Sequence, residues 1–300
     1  MPAKILLLGQ GAIGTMIGAA FKASGMDAFH LPHHPENVRP SVQLTFRDMR
    51  KTGMKIKKGT AYAYDCIAIP AQTSAFDTIF LPLSHRHWRE AVASLKPFLH
   101  QGQTLVLSGN VWDDFEWFRE NIPVPYVFAF PNFGGAVSNG ALGGWLTPKF
   151  TLGVTNTAFS DRLEKVSELL HSAGFRPQVQ TDIRGWLMTH FAFNAGLLAE
   201  AAAQNGFGNM TRNWDSLLRA YRRARACVQV AEQAGVRTSD FPEGRQAHQA
   251  LWWNALKTRL LFLIPGLAES ADAGKNLEEW SSYYEKVRQT AEQVPLEILP

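Results

Sequence analysis

The chain opens on a short apolar run, Lys4-Ile5-Leu6-Leu7-Leu8, and then a turn, Gly9-Gln10-Gly11-Ala12-Ile13-Gly14. A helical spacing of apolar residues follows as far as Ala23. Apolar runs of strand length recur at 28–31, 77–83, 104–107, 126–130, 150–154 and 178–180, with helical patterns after 85 and over 161–173. Strands alternating with helices predict an α/β domain built on a parallel sheet. Between 40 and 76 the period changes. Val42-Gln43-Leu44-Thr45-Phe46 and Ala61-Tyr62-Ala63-Tyr64 alternate by twos, which predicts a small strand-rich insert. From Asp182 onward the strand signal nearly vanishes. Helices are predicted over 186–204, 214–233, 246–264 and 277–292, with Gly235 and Pro242 as stops. The boundary therefore falls near residue 181, giving an α/β domain over 1–181 and an all-helical domain over 182–300.

The first turn narrows the class. G-x-G-x-x-G after a strand and before a helix is the fingerprint of a Rossmann-type dinucleotide-binding domain. Gly9 permits the tight turn, Gly11 lets the backbone approach a pyrophosphate, and Gly14 lets helix and strand pack closely. The amides of Gln10, Ala12 and Ile13 belong to the same phosphate-facing segment. An acid at the end of the second strand would bind the ribose of NAD, whereas basic groups suit the 2′-phosphate of NADP. Here the strand ends in Pro32-His33-His34, with Arg39 beyond, so NADP (NADPH) is expected, although both histidines also fit an ordinary surface loop. Ligands of doubly wound sheets bind beyond the carboxyl ends of the strands. That rim brings in Ser84 and Arg86 after one strand and Ser108-Gly109-Asn110 after the next.

Composition removes other classes. The net charge of +4 over 300 residues, with no basic run standing out, gives no case for nucleic acid. Lys55, Lys57 and Lys58 read as a solvated loop face. The two cysteines, Cys66 and Cys227, lack metal-ligand spacing and read as buried thiols of a reducing compartment. No metal and no membrane span is expected, since the apolar stretch at 260–267 is short and holds Pro265. Met1-Pro2-Ala3-Lys4 leads directly into the first strand, so a cytoplasmic protein is expected. Trp252, Trp253 and Phe262 read as core or as the surface of a homodimer formed through the helical domain.

The order of elements resembles the ketopantoate reductase family. The likeness rests on the glycine turn, on Tyr126-Val127-Phe128-Ala129-Phe130 through Gly135-Ala136 to Phe150-Thr151-Leu152-Gly153, on Ala173-Gly174-Phe175 with Asp182-Ile183, and on Glu232-Gln233-Ala234-Gly235-Val236. The resemblance implies reduction of a small 2-oxo acid by NADPH, in a cleft between the domains. It also implies site residues. The family's catalytic lysine falls at His190, its first asparagine at Asn194, and its second at Leu198. Its Asn-Gly after the strand at 104 is reversed here as Gly109-Asn110, making Asn110 the counterpart. Its basic residue after the strand at 79 falls at Ser84, with Arg86 nearby. Its final glutamate is Glu278, the basic residue before it is Lys275, and Ser270 is a shifted substitute for its serine.

Ketone reduction needs a donor that stabilises and protonates the developing oxyanion. His190 and Asn194, four apart, share a helix face and fit that need. His190 fits equally a hydrogen-bonded interior histidine among Trp186, Phe191 and Phe193. The alternatives are an opine-type or other hydroxy- or amino-acid dehydrogenase, and a non-catalytic NADP-binding sensor.

Overall fold

The computed structural model describes residues 4–33, 38–50, 55–56, 60–68, 70–264, 266–272 and 275–293, with backbone alone at 55, 56, 70, 270 and 293. His34, Lys57, Lys58 and Gly274 lie outside the described residues. The chain forms two compact units, Met1–Asn110 with Asp114–Ile183 and Val111–Asp113 with Arg184–Pro300.

In the first unit, β1 (Ile5–Leu8) is buried along its length, as a central strand covered on both faces must be. It leads into α1 (Ala12–Lys22), and β2 (Ala28–Leu31) returns parallel to β1 with Ile5 opposite Ala28. The insert then supplies β3 (Ser41–Leu44), β4 (Arg47–Asp48), β5 (Lys55–Ile56) and β6 (Thr60–Ala63). Next come β7 (Asp65–Cys66), β8 (Thr78–Leu81), α2 (Trp88–Leu95), β9 (Thr104–Leu107), α3 (Phe115–Asn121) and β10 (Tyr126–Pro131). A hairpin of β11 (Gly134–Ser138) and β12 (Ala141–Leu146) precedes β13 (Lys149–Gly153), α4 (Ser160–Ser172) and β14 (Arg176–Val179).

The main sheet runs β14-β13-β10-β9-β8-β1-β2-β7. From β7 to β10 this is the doubly wound order in which the strand sequence reverses between β1 and β8, the place where such sheets hold ligands. A second sheet, β5-β4-β12-β3-β6 with β11 on β12, packs over α1. Met16, Ile17 and Phe21 of α1 share one buried cluster with Val42, Leu44, Tyr62 and Leu142 of that sheet. The insert expected at 40–76 is present, but β11 and β12 complete its sheet. Their glycines carry no strand signal and are needed for closeness: a Cβ on Gly135 would lie 2.5 Å from the Met16 methyl. Cys66 corrects an expectation. It is exposed, because β7 is the edge strand, while Cys227 is buried and its thiol is pushed up to about 12 by that burial.

The second unit is helical: α5 (Ile183–Ala203), α6 (Phe207–Arg212), α7 (Trp214–Gln233), α8 (Pro242–His248), α9 (Leu251–Leu261), α10 (Leu267–Asp272) and α11 (Leu277–Gln293). Backbones of α5 and α7 meet at Gly196, where a Cβ would fall 2.1 Å from the Ala224 nitrogen. The single helix expected over 246–264 is two. The backbone is extended at Gln249, and Arg225 donates to the Ala247 and Gln249 carbonyls, satisfying acceptors that continued helix would have used. Trp252 and Trp253 are 57% and 44% exposed, so the core reading fails for them and the surface reading remains. Among the described residues no helix is long and apolar enough to cross a membrane.

Candidate functional site

The glycine turn has the backbone its spacing requires. Gly9 sits at φ +84°, a left-handed conformation open to glycine, and its amide donates to the Leu31 carbonyl at 2.7 Å. Gly11 is the N-cap of α1, with no side-chain cap, and a Cβ there would meet nothing within 4 Å. Uncapped amides over open space are what an anion binds at a helix start. A Cβ on Gly14 would lie 3.0 Å from Pro82, so that glycine sets how closely α1 approaches the end of β8. Ala12 and Ile13 pack partly against the core.

Gln10 locks the turn to the loop after β2. Its Nε2 donates to the Arg39 carbonyl at 2.8 Å, and the Arg39 amide donates to its Oε1 at 2.9 Å. The Arg39 guanidinium also donates to the Gln10 carbonyl. A cation is thereby fixed beside the phosphate turn. His33 is exposed and sits 3.2 Å from the Glu90 carboxylate, so an acid shares its surface. Below the turn lies a group the sequence did not reveal. Buried His30 contacts the Gly9 carbonyl through Nδ1 at 2.8 Å and the Tyr62 hydroxyl through Nε2 at 2.9 Å. Tyr64 bonds Thr15 at 2.8 Å beside it. Burial holds His30 down to about 4, so the ring is neutral. The only sequence signal was a histidine inside an apolar strand, with the tyrosines of the insert available to it.

The rim of β8 and β9 carries Ser84, Ser108 and Asn110. Gly109 is required between them, because a Cβ would lie 2.0 Å from the Leu83 carbonyl. The Asn110 carbonyl accepts from Trp88 Nε1 at 3.2 Å. The hydroxyls of Ser84 and Ser108 are buried with no hydrogen-bond partner among the described residues. Desolvated, unpaired hydroxyls at the ligand edge of a doubly wound sheet fit a bound group that supplies their partner. Arg86 lies on the same rim and is exposed.

In the second unit, the ring of His190 stacks on Trp186, with centroids 4.9 Å apart. Its Nδ1 lies 3.0 Å from Glu243 Oε1 and its Nε2 lies 2.8 Å from Asn194 Nδ2. Asn194 Nδ2 also donates to the His190 carbonyl. Pro242 at the start of α8 delivers Glu243, which sequence reasoning missed. Burial raises the Glu243 carboxyl, but the hydrogen bond and charge of His190 outweigh it and hold the group below its ordinary value. Glu243 is therefore a carboxylate. Its second oxygen is buried without a hydrogen-bond partner among the described residues. A histidine backed by a carboxylate is oriented for proton transfer, as an isolated core histidine is not.

The other expected residues of this unit lie on α10 and around the start of α11. Lys275 is exposed and donates to the Asn205 carbonyl and side chain at 3.3 and 3.1 Å, holding a left-handed turn. Glu278 is exposed in the first turn of α11, where the helix dipole favours a carboxylate. Ser270 lies on α10, its side chain outside the described part.

A sheet of doubly wound order followed by a helical unit defines the class. No known family profile and no curated sequence matches the chain. Solved structures share its fold. A ketopantoate reductase from Staphylococcus aureus, described as dimeric, superposes with a TM-score of 0.67 at 12% identity, covering 98% of this chain and 93% of that one. The 2-dehydropantoate 2-reductase of Porphyromonas gingivalis gives 0.62 at 18%, over 96% and 100%. A D-mandelate dehydrogenase, in a ternary structure with NADH and anilino(oxo)acetate, gives 0.66 at 10%, over 98% and 100%. The chain thus has the two-domain fold of the ketopantoate reductases.

Proposed function

We propose that the protein is an NADPH-dependent oxidoreductase that reduces a small 2-oxo acid to the 2-hydroxy acid. The observation that carries this reading is the pairing of His190 with Glu243, on a fold whose first unit presents an open glycine turn. Both neighbouring activities concern such acids: 2-dehydropantoate is a 2-oxo acid and D-mandelate a 2-hydroxy acid.

The residues present fit a nicotinamide dinucleotide. Gly9 to Gly14 would hold the pyrophosphate, Arg39 and His33 would face a 2′-phosphate, and the orphan hydroxyls of Ser84 and Ser108 would bond the nicotinamide half. When bound, the reduced cofactor supplies a hydride to the carbonyl carbon. The other half of the reaction is a proton for the carbonyl oxygen. Protonated His190 carries N–H on both ring nitrogens. The Nδ1–H stays on the ring and donates to the Glu243 carboxylate, which stabilises the cation and fixes the ring plane. The Nε2 proton goes to the substrate oxygen, and the Asn194 amide swings from Nε2 to the substrate. Glu243 keeps its charge throughout and acts by position. Lys275 keeps its bond to Asn205, and Arg86, on the rim of the first unit, is a candidate cation for the substrate carboxylate.

The exposed apolar face of Trp252, Trp253, Leu260, Leu261, Leu263 and Ile264 fits a second copy of the chain, and light scattering on Trp252→Ser against the parent tests that dimer. The activity is tested by following NADPH absorbance with a panel of 2-oxo acids, with and without ammonia. Oxidation without ammonia supports the proposal. Oxidation only with ammonia or an amino acid points to an opine-type dehydrogenase. Tight NADPH binding with no turnover points to a sensor.

A further inference from the structure

The helical unit holds a second candidate site that this activity does not use. The stretch Arg219-Ala220-Tyr221-Arg222-Arg223-Ala224-Arg225 concentrates four arginines in seven residues. The expectation that no basic run stands out is corrected here, because a chain-wide balance of +4 hides a local cluster. All four arginines line one cavity of about 580 Å³ along α7, together with Gln229 and Tyr284.

The charges are not cancelled. Among the described residues one carboxylate serves them: Glu200, 1% exposed, lies 2.8 Å from Arg219 and 3.6 Å from Arg223. Its burial follows from the close approach of α5 to α7 at Gly196, one turn earlier. Arg225 is spent on the backbone carbonyls of Ala247 and Gln249, which fix its position without lowering its charge. Arg222 makes no hydrogen bond or ion pair among the described residues and is exposed. On the neighbouring α11, Glu285 and Glu292 are engaged by Arg288 and add no free anion. Four cations thus face one carboxylate. Like charges three and four residues apart weaken a helix by a few tenths of a kcal/mol per pair. A packed cluster of this kind is explained by an anion that it binds.

The chemistry of the lining identifies that anion. Guanidinium forks match phosphate oxygens in pairs, and more than one fork calls for more than one anionic oxygen. The Arg223 guanidinium lies over the Tyr284 ring, 5.8 Å from its centroid, which offers a flat surface beside the charges. A monocarboxylate would leave most of the cluster unpaired, and the volume admits a small molecule. We propose that this cavity binds a small phosphorylated molecule, at a site separate in sequence from the glycine turn. This proposal does not depend on the reductase reading.

Inorganic pyrophosphate is the probe, titrated calorimetrically into three full-length proteins: the parent, Gly11→Val and Arg222→Ala. Gly11→Val closes the cofactor turn, which would otherwise bind the same probe. Arg222 is exposed and unpaired, so its loss leaves the fold intact, as circular dichroism checks. The expected result is binding that survives Gly11→Val and weakens by about tenfold to a hundredfold in Arg222→Ala, the worth of a charge-assisted hydrogen bond. It should also weaken as salt is raised. The proposal is overturned if the parent binds no pyrophosphate at millimolar concentration, if Gly11→Val abolishes all binding, or if Arg222→Ala binds as the parent does.

Discussion

The glycine turn of the first unit and the His190 group of the second, the two features on which the proposed reduction rests, are built by different rules. The turn works through backbone. Its amides would face the ligand, and glycine best permits the left-handed φ at Gly9 and the clear space at Gly11. The His190 group works through side chains, and a proton can be delivered by histidine or by lysine if a neighbour sets the charge. Backbone chemistry therefore leaves a fixed pattern in a sequence. Side-chain chemistry leaves a register that different residues can occupy.

The largest expected effect falls on the turn. Gly11→Val should abolish binding of NADPH and NADH alike, because the side chain fills the approach of the pyrophosphate. Its folding should be undisturbed, since the position is open and its φ is negative. Tryptophan fluorescence titration and thermal melting read the two separately. Loss of stability together with binding would make Gly11 a packing residue.

Next comes the donor. His190→Ala should slow ketone reduction by about 10² to 10⁴, the usual worth of a positioned acid, with cofactor affinity unchanged. Glu243→Gln should fall between that variant and the parent, because the amide can still accept from Nδ1 but carries no charge to stabilise the cation. His190→Lys should keep activity and move its alkaline limit upward. Equal rates for His190→Ala and the parent would reduce His190 to a core residue stacked on Trp186.

The difference in rules explains what could be read in advance. The parallel sheet, the glycine turn, the insert and the helical second half were legible from periodicity, because long apolar patterns report burial directly. The strands β11 and β12 were not, since Gly134, Gly135, Gly143 and Gly144 lower strand propensity, and of these Gly135 and Gly144 are needed for close approach to Met16 of α1. Nor was the break at Gln249, which depends on Arg225 reaching from another helix. In the candidate site, the register singled out His190 and Asn194 but not Glu243, which comes from a helix start fifty-three residues later. Lys275, singled out by the family pattern, contacts Asn205.

A smaller effect concerns acid stability of the first unit. The folded value of His30, about 4, lies below the unfolded value of 6.5. The unfolded chain therefore takes up the proton first as pH falls. The full stability is present above 6.5 and is lost between 6.5 and about 4, for a total of about 3 kcal/mol. Urea unfolding at pH 7, 6 and 5 should show this slope, and His30→Gln, which cannot take up that proton, should start lower and vary less. Identical slopes would remove His30 from the account. The smallest effect is cofactor choice. NADPH should bind about tenfold more tightly than NADH, one charge-assisted contact from Arg39, and Arg39→Ala should erase most of that difference.

The most direct measurement follows the hydride itself. The protein is incubated with a mixture of 2-oxo acids and NADPH carrying deuterium at both C4 positions, and the 2-hydroxy acids are examined by mass spectrometry. The expected result is one 2-hydroxy acid, or a few of related shape, gaining a single deuterium at C2, with the yield falling by the same 10² to 10⁴ in His190→Ala. Cofactor binding without deuterium in any hydroxy acid would contradict the account and make the protein a dinucleotide-binding module without reductase chemistry.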